Sequence, residues 1–596
     1  YLNTQGFLFN ASGIRSASRI YFGKEPIELK IEESAVLAAM LKNPRQFNPN
    51  RSISKNKSFE RRNVVFKQLE KNRFLTTQEK DSLQKLPLEI NYTPESHSDG
   101  YATYFREYLR EYLKQWVKTN PKPNGEEYNI YADGLKVYVT IDSRMQKYAE
   151  EAVKEHISNL QSYFSSEQKS NKTAPFYDLE PEQIEMILTR AKKNSDRWRE
   201  MQKLGTPEKE IEASFLRKTK MKIFTWKGDR DTLMTPADSI KYYKYFLHSG
   251  LMSMEPQTGH IKAWVGGINN KHFKYDHVEQ GRRQVGSTFK PFVYATAINQ
   301  LKLSPCDTYP IAPYTIPKGK HGNMDSWTPR NSGDNPLRYK GELSLKEGLA
   351  NSVNTMSARL IDMVGPKNVS RLAAVSLGIT RTIPETPAIA LGTVELSLYE
   401  MVSAYAMFAN KGLRVEPMMI TRIEDKNGTV LTQFTPKTKE VLSEESAYVV
   451  LDLLKGVTTA GSGIRLRTTS ERPGYVTGYP YGFNNPIAGK TGTTQNHTDG
   501  WFMGVVPNLA TGVWTGGEDN AIHFEGIGKG QGASMSLPTW AIFMRKCYED
   551  LTLNISKEDF EKPENPISIR LDCTDKDPLK EKEDEKPVIK KGDIDF

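Results

Sequence analysis

The sequence predicts an α+β protein that is divided into several domains. Its 596 residues are too many for one hydrophobic core, so roughly two to four domains are expected. Residues 251–256 and 261–267 form a predicted strand pair, joined by the turn Gln257-Thr258-Gly259-His260. Elsewhere apolar residues recur at the spacing of an α-helix. A strand pair and amphipathic helices in one chain are typical of the α+β class.

The first 130 residues are expected to be helical, with a linker at their end. Residues 1–75 contain predicted helices at 32–41 and 59–69, each with an apolar face. Residues 76–130 form the predicted linker. Within it, residues 101–109 form a helix with an aromatic stripe, a pattern more typical of packing than of a ligand site. We interpret this helix as a connector between two domains.

The next domain is predicted to comprise residues 131–160 and 235–550. An insertion at 161–234 interrupts it; this stretch is highly charged and is expected to be mainly helical. A helix is predicted to start at Thr206-Pro207-Glu208 and another at Thr235-Pro236, since a capping residue followed by proline favours a helix start. The second of these helices is expected to end at Gly250.

The final stretch, 551–596, is charged and contains several prolines, as in a flexible tail. Regular structure is also predicted on both sides of the insertion and further along the chain. The predicted elements are a strand at 135–140, helices at 143–160, 344–351, 402–410 and 446–454, a hairpin at 418–431, and strands at 500–506 and 511–515.

The composition is that of a globular protein, but it does not identify a binding partner. Hydrophobic residues make up 37% and charged residues 26%, as in a globular chain. The net charge of +10 and the pI near 9.0 suit an anionic partner, such as a membrane surface or a phosphorylated lipid, or reflect a basic proteome background. Lys and Arg are interspersed with Asp and Glu, which argues against nucleic-acid binding.

The sequence does not decide the cellular compartment of the protein. No apolar run approaches the ~20 residues needed to cross a bilayer, and no signal peptide is found at Tyr1. A chain that begins without methionine is expected to be a fragment. Its three cysteines, Cys306, Cys547 and Cys573, are too few and too scattered to predict a disulfide framework or a metal site, so the redox compartment stays undecided.

Candidate chemistry begins at Ser287 and Lys290, which are one helical turn apart, so the hydroxyl and the amine can share one face of a helix. A nucleophilic serine needs a neighbouring base to take its proton. Lysine serves as that base only when it is neutral. A drop of roughly three units from its usual pKa of about 10.4 costs on the order of 4 kcal/mol, which burial and a nearby positive charge must supply.

A Ser-x-x-Lys string alone is weak support for catalysis. The other copies lie in polar, lysine-rich surroundings typical of solvated surface, whereas apolar residues surround Ser287. These copies are Ser52/Lys55, Ser54/Lys57, Ser82/Lys85 and Ser166/Lys169.

Two later strings complete an ordered set. Ser352-Val353-Asn354 follows a predicted helix, and Lys490-Thr491-Gly492-Thr493 follows Ile487-Ala488-Gly489. The order Ser-x-x-Lys, Ser-x-Asn, Lys-Thr-Gly resembles the signature shared by penicillin-binding proteins and class A β-lactamases.

Flanking strings extend the resemblance. Over roughly residues 130–545, apart from the insertion, the chain resembles the transpeptidase domain of class A penicillin-binding proteins. The resemblance implies a β-lactamase-like fold, an antiparallel sheet flanked by helices. The strings are Thr140-Ile141-Asp142, Ala263-Trp264-Val265-Gly266-Gly267, Leu391-Gly392-Thr393, 404–412 and Asp499-Gly500-Trp501-Phe502.

The resemblance implies a role for each residue of the ordered set. Ser287 would attack the D-Ala-D-Ala carbonyl of a peptidoglycan stem peptide and release the last D-alanine. Lys290 would be the base, Ser352 would pass a proton to the leaving amine, and Asn354 would hold Lys290 and the substrate amide. Lys490 would supply a positive charge that helps keep Lys290 neutral. No metal or cofactor is implied.

The Lys-Thr-Gly strand is expected to bind the substrate. Thr491 and Thr493, together with Lys490, would attract the terminal carboxylate of the substrate. The backbone N–H groups of Ser287 and Thr493 would stabilise the oxyanion. Gly492 would leave room for the substrate to lie along the strand as an added strand. The alternative for Lys490 is a lysine that merely protects a strand edge.

The N-terminal strings are similar to the C-terminal part of the family's glycosyltransferase domain. They include Tyr1-Leu2-Asn3, Tyr21-Phe22-Gly23-Lys24 and Phe47-Asn48-Pro49. The family places its catalytic glutamate upstream of this point. We therefore expect residues 1–75 to be an all-α remnant of a lysozyme-like domain that makes no glycan polymer by itself, although the intact protein should polymerise a lipid-linked precursor.

The resemblance also implies a location and partners. The protein would act at the extracytoplasmic, periplasmic face of the cell membrane, through an N-terminal anchor that this sequence lacks. Stem peptides and β-lactams would be its ligands.

Two rival functions stay open. A D,D-carboxypeptidase or β-lactamase-like hydrolase would pass the acyl group to water, but no convincing water-activating glutamate lies between Asn354 and Lys490. A non-catalytic wall-binding scaffold would lack covalent labelling by penicillin, although every expected side chain is present.

Overall fold

The computed structural model describes residues 2–9, 11–92, 100–332, 339–470 and 477–573. The chain divides into two compact units, Tyr1–Leu135 and Lys136–Phe596. None of the described helices is both long enough and apolar enough to cross a bilayer.

The first unit is helical. Its core brings the first two helices together around buried Phe7, Ile20 and Tyr21, and the Tyr21 hydroxyl donates to the Phe7 carbonyl (2.7 Å). Buried Arg62 donates to the carbonyls of Leu86 (2.8 Å) and Pro87 (3.2 Å), which fixes the chain after the fourth helix. The helices are α1 (Gly13–Phe22), α2 (Ile31–Met40), α3 (Lys55–Lys71), α4 (Thr77–Lys85) and α5 (Thr103–Thr119).

The second unit contains fourteen described α-helices and sixteen described strands. Its helices are α6 (Ser143–Glu167), α7 (Pro181–Lys193), α8 (Asp196–Lys203), α9 (Glu208–Phe215), α10 (Pro236–Lys244), α11 (Lys290–Leu301), α12 (Leu345–Ala350), α13 (Asn354–Val364), α14 (Pro366–Leu377), α15 (Leu398–Ala409), α16 (Glu444–Thr459), α17 (Ile527–Gly530), α18 (Gly532–Met535) and α19 (Leu537–Glu549).

The strands of the second unit fall into one large sheet and several small ones. They are β1 (Lys136–Val139), β2 (Thr219–Ile223), β3 (Arg230–Met234), β4 (His248–Met254), β5 (Ile261–Val265), β6 (Arg282–Gln284), β7 (Thr308–Pro310), β8 (Glu342–Ser344), β9 (Glu395–Ser397), β10 (Leu413–Val415), β11 (Ile420–Glu424), β12 (Val430–Gln433), β13 (Thr438–Glu440), β14 (Ala488–Thr493), β15 (Asp499–Val506) and β16 (Leu509–Gly516).

The large sheet is antiparallel, with the strand order β14-β15-β16-β4-β5. Every residue of β4, β15 and β16 is buried, because helices cover both faces. Helices α6 and α19 cover one face, where Phe502 and Trp540 share a core. On the other face α15 packs so closely that a Cβ built on Gly512 would lie 2.7 Å from Val402 Cγ2. The sheet order places β14, with Lys490, at one edge.

Several element boundaries differ from the sequence prediction. Helix α10 ends at Lys244 instead of Gly250, because His248 already begins β4 and Gly250 pairs with Trp514 of β16. The cap position of α9 is Pro207, so Thr206 does not cap it. The predicted insertion contains a β-hairpin, β2 with β3, in addition to helices α7 to α9.

The C-terminal segment 554–573 is fixed to the second unit, which corrects the expectation of a flexible tail from residue 551. Lys455 of α16 pairs with Asp559 at 3.0 Å, and Glu445 accepts a hydrogen bond from the Ser568 hydroxyl at 2.6 Å. Charged and polar groups of this segment therefore have partners on the domain, which composition could not reveal. The rest of the predicted tail, 574–596, lies outside the described residues.

A disulfide closes this segment onto the domain. Cys306, just after α11, is bonded to Cys573, 267 residues further along the chain. The prediction that the cysteines were too scattered to pair is wrong for these two, because the C-terminal segment returns to the end of α11. Cys547 is buried and free.

Removing this crosslink is expected to lower the stability of the second unit. Changing both Cys306 and Cys573 to serine should reduce the free energy of unfolding by about 2–4 kcal/mol, because the unfolded chain gains conformational freedom. Denaturant unfolding followed by circular dichroism would measure the loss. Reductant should destabilise the wild type and leave the double variant unchanged; equal midpoints for both proteins without reductant would contradict the prediction.

Candidate active site

The structure brings side chains from all three sequence strings into one cluster. Lys290 at the start of α11 donates to the Ser352 hydroxyl (3.2 Å) and to Asn354 Oδ1 (2.6 Å). Lys490 of β14 donates to the same Ser352 hydroxyl from the other side (3.1 Å). Two amines and a carboxamide from the three strings therefore meet around the Ser352 hydroxyl.

Ser287 lies on a 3-10 turn, Gly286–Phe289, which leads directly into α11. Its side chain is half-buried, and its hydroxyl makes no hydrogen bond with any described residue. The Lys290 amine, one turn later, is directed to Ser352 and Asn354 instead. Hydrogen bonds between catalytic groups are often long before substrate binds, so this geometry is compatible with proton transfer from Ser287.

Two glycines allow the Ser287 turn to sit where it does. Gly286 has φ 54°, and a Cβ built on it would lie 2.8 Å from the Thr493 carbonyl oxygen. A Cβ on Gly392, which has φ 74°, would overlap the Gly286 carbonyl oxygen. The Gly286 N–H in turn donates to the Gly392 carbonyl (3.0 Å). The turn is therefore held by backbone contacts that leave no room for side chains.

Ser352 occupies a strained position between α12 and α13. Its φ of 56° is in the left-handed region, which is rare for residues other than glycine and costs roughly 1–3 kcal/mol. The Lys290 amine donates to its carbonyl oxygen (2.6 Å) as well as to its hydroxyl. Lys290 therefore holds both the backbone and the side chain of Ser352.

Burial changes the protonation of both lysines, whose side chains have no exposed surface. Burial lowers the pKa of Lys490 to about 7. Burial, together with the positive charge of Lys490, holds the pKa of Lys290 well below its ordinary value. Two buried amines that share one hydroxyl cannot readily both be charged. Lys290 is therefore the group poised to be neutral, as a proton acceptor requires.

The strand β14 contacts its surroundings differently from the sequence expectation. A Cβ on Gly492 would lie 2.8 Å from Thr288 Cγ2 and 2.9 Å from the Val285 carbonyl oxygen. The turn that carries Ser287 therefore requires glycine at position 492, a reason that the expectation of an added substrate strand did not include. Thr493 Oγ1 accepts from the Gly532 N–H (3.1 Å), and Thr491 Oγ1 lies 2.6 Å from Ser462 Oγ.

Comparisons with known proteins identify the domain that contains this site and two domains that precede it in the chain. The model of the penicillin-binding protein transpeptidase domain matches residues 250–517. The penicillin-binding protein middle domain matches 171–247, and a transglycosylase model matches 1–70. Penicillin-binding protein 1A of Aquifex aeolicus is 27% identical over 605 aligned residues, covering 96% of this chain and 73% of that protein. The chain belongs to the class A penicillin-binding proteins.

Solved penicillin-binding proteins share its fold. The structure of penicillin-binding protein 1A from Haemophilus influenzae has a TM-score of 0.61 at 23% identity, covering 96% of this chain and 86% of that one. PonA1 from Mycobacterium tuberculosis, in complex with penicillin V, has a TM-score of 0.50 at 19% identity, covering 80% and 98%. The predicted fold class is confirmed: an α+β transpeptidase-like domain preceded by a helical transglycosylase-like region.

The matched domains place this penicillin-binding protein among the enzymes that build peptidoglycan. The chain spans about two thirds to three quarters of the length of the curated relatives it matches.

Sequence reasoning missed the residue that caps the Ser-x-Asn helix of this penicillin-binding protein. Asn331 Oδ1 accepts hydrogen bonds from the N–H groups of Asn354 (2.8 Å) and Thr355 (3.1 Å), at the start of α13. The Asn354 amide donates to the Arg330 carbonyl (2.6 Å). A helix is normally capped by its own preceding residue. No local spacing could have identified a cap 23 residues upstream.

A second missed group supports the strand that pairs with β14. Asp499 accepts hydrogen bonds from Arg283 Nε (2.7 Å) and Trp514 Nε1 (2.9 Å). Trp501 Nε1 donates to the Gln284 carbonyl (2.9 Å), three residues before Ser287. In the sequence, the Asp499-Gly500-Trp501 string carries only a family resemblance. Its contacts show that it joins β15 to the segment that leads into the turn of Ser287.

Proposed function

We propose that this chain is a serine-type D,D-transpeptidase that crosslinks peptidoglycan stem peptides through an acyl-enzyme on Ser287. The observation that carries the proposal is the hydrogen-bonded cluster of buried Lys290 and Lys490 with half-buried Ser352 and Asn354, beside the turn that presents Ser287. It supplies a nucleophile, a base with a lowered pKa and a hydroxyl between two amines. These are the parts that acyl transfer by an activated serine needs.

Acylation would proceed in two steps. Neutral Lys290 takes the proton of Ser287 as its oxygen bonds to the carbonyl carbon of the penultimate D-alanine. The carbon–nitrogen bond then breaks, and Ser352 delivers a proton to the departing D-alanine amine. Its hydroxyl contacts both amines, so a proton can pass from Lys290 through Ser352. Attack by an acceptor amine on the ester completes the crosslink and frees Ser287.

The oxyanion would be stabilised by the N–H groups of Ser287 and Thr493. The two backbones pass close to each other, since a Cβ built on Gly286 would lie 2.8 Å from the Thr493 carbonyl oxygen. Losing one such donor typically costs about 3–4 kcal/mol of transition-state stabilisation.

The substrate carboxylate would bind to Lys490, Thr491 and Thr493 of β14. β-Lactams carry a matching carboxylate and a reactive carbonyl, so they should acylate Ser287 and leave slowly. The related PonA1 structure contains penicillin V, which supports this ligand class.

The intact protein would also polymerise glycan at the extracytoplasmic, periplasmic face of the cell membrane, from a lipid-linked precursor. The transglycosylase match over residues 1–70 supports this part of the proposal. The proposed acyl transfer through Ser287 in the second unit does not depend on this polymerisation.

Intact mass spectrometry before and after β-lactam treatment tests the proposed function. We expect the mass to rise by one β-lactam per chain, and peptide mapping to find the adduct on the peptide that contains Ser287. The absence of an adduct on folded protein, or an adduct confined to another residue, would refute the proposal.

A further inference from the structure

The loop that follows α16 contacts both halves of the candidate site. The Ser462 N–H donates to the Ala350 carbonyl at the end of α12 (3.0 Å). Its Oγ lies 2.6 Å from Thr491 Oγ1 on β14. A Cβ on neighbouring Gly461 would overlap the Ala350 carbonyl oxygen, so the loop lies directly on α12. Ser462 thus connects the Ser-x-Asn region with the Lys-Thr-Gly strand.

These contacts form a closed ring. Ala350 precedes Ser352 by two residues, and the Ser352 hydroxyl accepts from Lys490. Lys490 is followed by Thr491, whose hydroxyl is hydrogen-bonded to the Ser462 hydroxyl. The Ser462 N–H then donates to the Ala350 carbonyl, which closes the ring. Within the described part of the chain, Ser462 supplies the only side-chain hydrogen bond to Thr491 Oγ1. Breaking that bond would open the ring at the residue proposed to bind substrate.

We infer that Ser462 is a positioning residue that fixes the Thr491 hydroxyl for the terminal carboxylate of the substrate. The inference rests on the proposed function, in which Thr491 contacts that carboxylate. A threonine hydroxyl has alternative staggered rotamers, and a short bond to Ser462 selects one of them. With substrate bound, Thr491 donates to the carboxylate and accepts from Ser462. A hydroxyl that accepts one hydrogen bond becomes a stronger donor in the next.

The test compares acylation by a β-lactam that carries its carboxylate with acylation by the methyl ester of the same compound. Ser462→Ala should slow acylation by the carboxylate about fivefold, the loss of one neutral hydrogen bond, and should change the ester reaction little. With a D-Ala-D-Ala peptide, the loss should appear mainly in KM. Ser462→Thr keeps the hydroxyl and should restore most of the rate.

Two further variants separate positioning from folding. Thr459→Ala removes a hydroxyl that bonds only to carbonyls of its own helix, so it is a matched control and should behave as wild type. In a Thr491→Val background, Ser462→Ala should cause no further loss, because the hydroxyl it positions is already gone.

The possible outcomes are distinct. Equal slowing of the carboxylate and the ester would overturn the inference, since the effect would then be general. A rate unchanged by Ser462→Ala, with normal wild-type acylation, would overturn this inference alone. A wild type that forms no adduct with either compound would overturn the proposed function and the inference together.

Discussion

Replacing Ser287 with alanine is expected to abolish covalent labelling by penicillin and to lower release of D-alanine by on the order of 10⁴-fold or more. Ser287 is the only proposed nucleophile, and alanine offers no atom to form the ester. Its side chain is half-buried and makes no hydrogen bond among the described residues, so its loss should cost little stability. A gel with fluorescent penicillin and an assay of free D-alanine measure the two effects.

Ser166→Ala provides the matched control for Ser287→Ala. Ser166 and Lys169 repeat the Ser-x-x-Lys spacing, but Ser166 is exposed at the end of α6. This variant should label as strongly as the wild type. Labelling that persists in folded Ser287→Ala would show that another residue forms the acyl-enzyme.

Lys290, Ser352, Asn354 and Lys490 could be grouped in advance because their three short strings, in this order, resemble the signature of a known family. Each string also has a local structural meaning: a helix start, a helix-to-helix turn and an edge strand. The spacing places Ser287 and Lys290 within one turn of each other. It does not reveal that the Lys290 amine bonds to Ser352 and Asn354 and not to Ser287. The order of the strings then linked elements that are far apart in the chain.

Contacts that depend on the tertiary fold could not be predicted in this way. Asn331 caps a helix 23 residues later, and Ser462 meets Thr491 across the junction of α16 and β14. Cys306 finds Cys573 only because the C-terminal segment returns along the domain. The reason for Gly492 was also out of reach, since the turn beneath it belongs to residues 285–288. Composition and the spacing of apolar residues describe one helix or strand at a time, whereas each of these contacts joins two elements that are far apart in the chain.

Replacing Lys290 with methionine is expected to slow acylation by about 10²–10⁴-fold, the usual contribution of a general base. Methionine fills similar space but cannot accept the Ser287 proton. It also leaves Asn354 Oδ1 and the Ser352 carbonyl without a donor, which should cost about 1–3 kcal/mol of stability. Lys290→Arg should not rescue the rate, because a guanidinium stays protonated. Time courses of β-lactam acylation measure both variants.

The pH dependence of the wild type provides a sharper test of the same role. Burial and the charge of Lys490 lower the pKa of Lys290, so the base is neutral at higher pH and becomes protonated as the pH falls. Acylation should therefore slow on the acid side. Burial lowers the pKa of Lys490 to about 7, so attraction of the carboxylate should weaken as the pH rises beyond that value in the free enzyme.

The resulting bell-shaped profile of kcat/KM belongs to the coupled pair of amines. In Lys290→Met the acid limb should disappear, because the group whose protonation causes it is gone, while the basic limb should remain. A variant that keeps the wild-type rate, or loses the basic limb instead, would assign the base to Lys490. Ser352 would then pass its proton in the opposite direction, since its hydroxyl contacts both amines equally well.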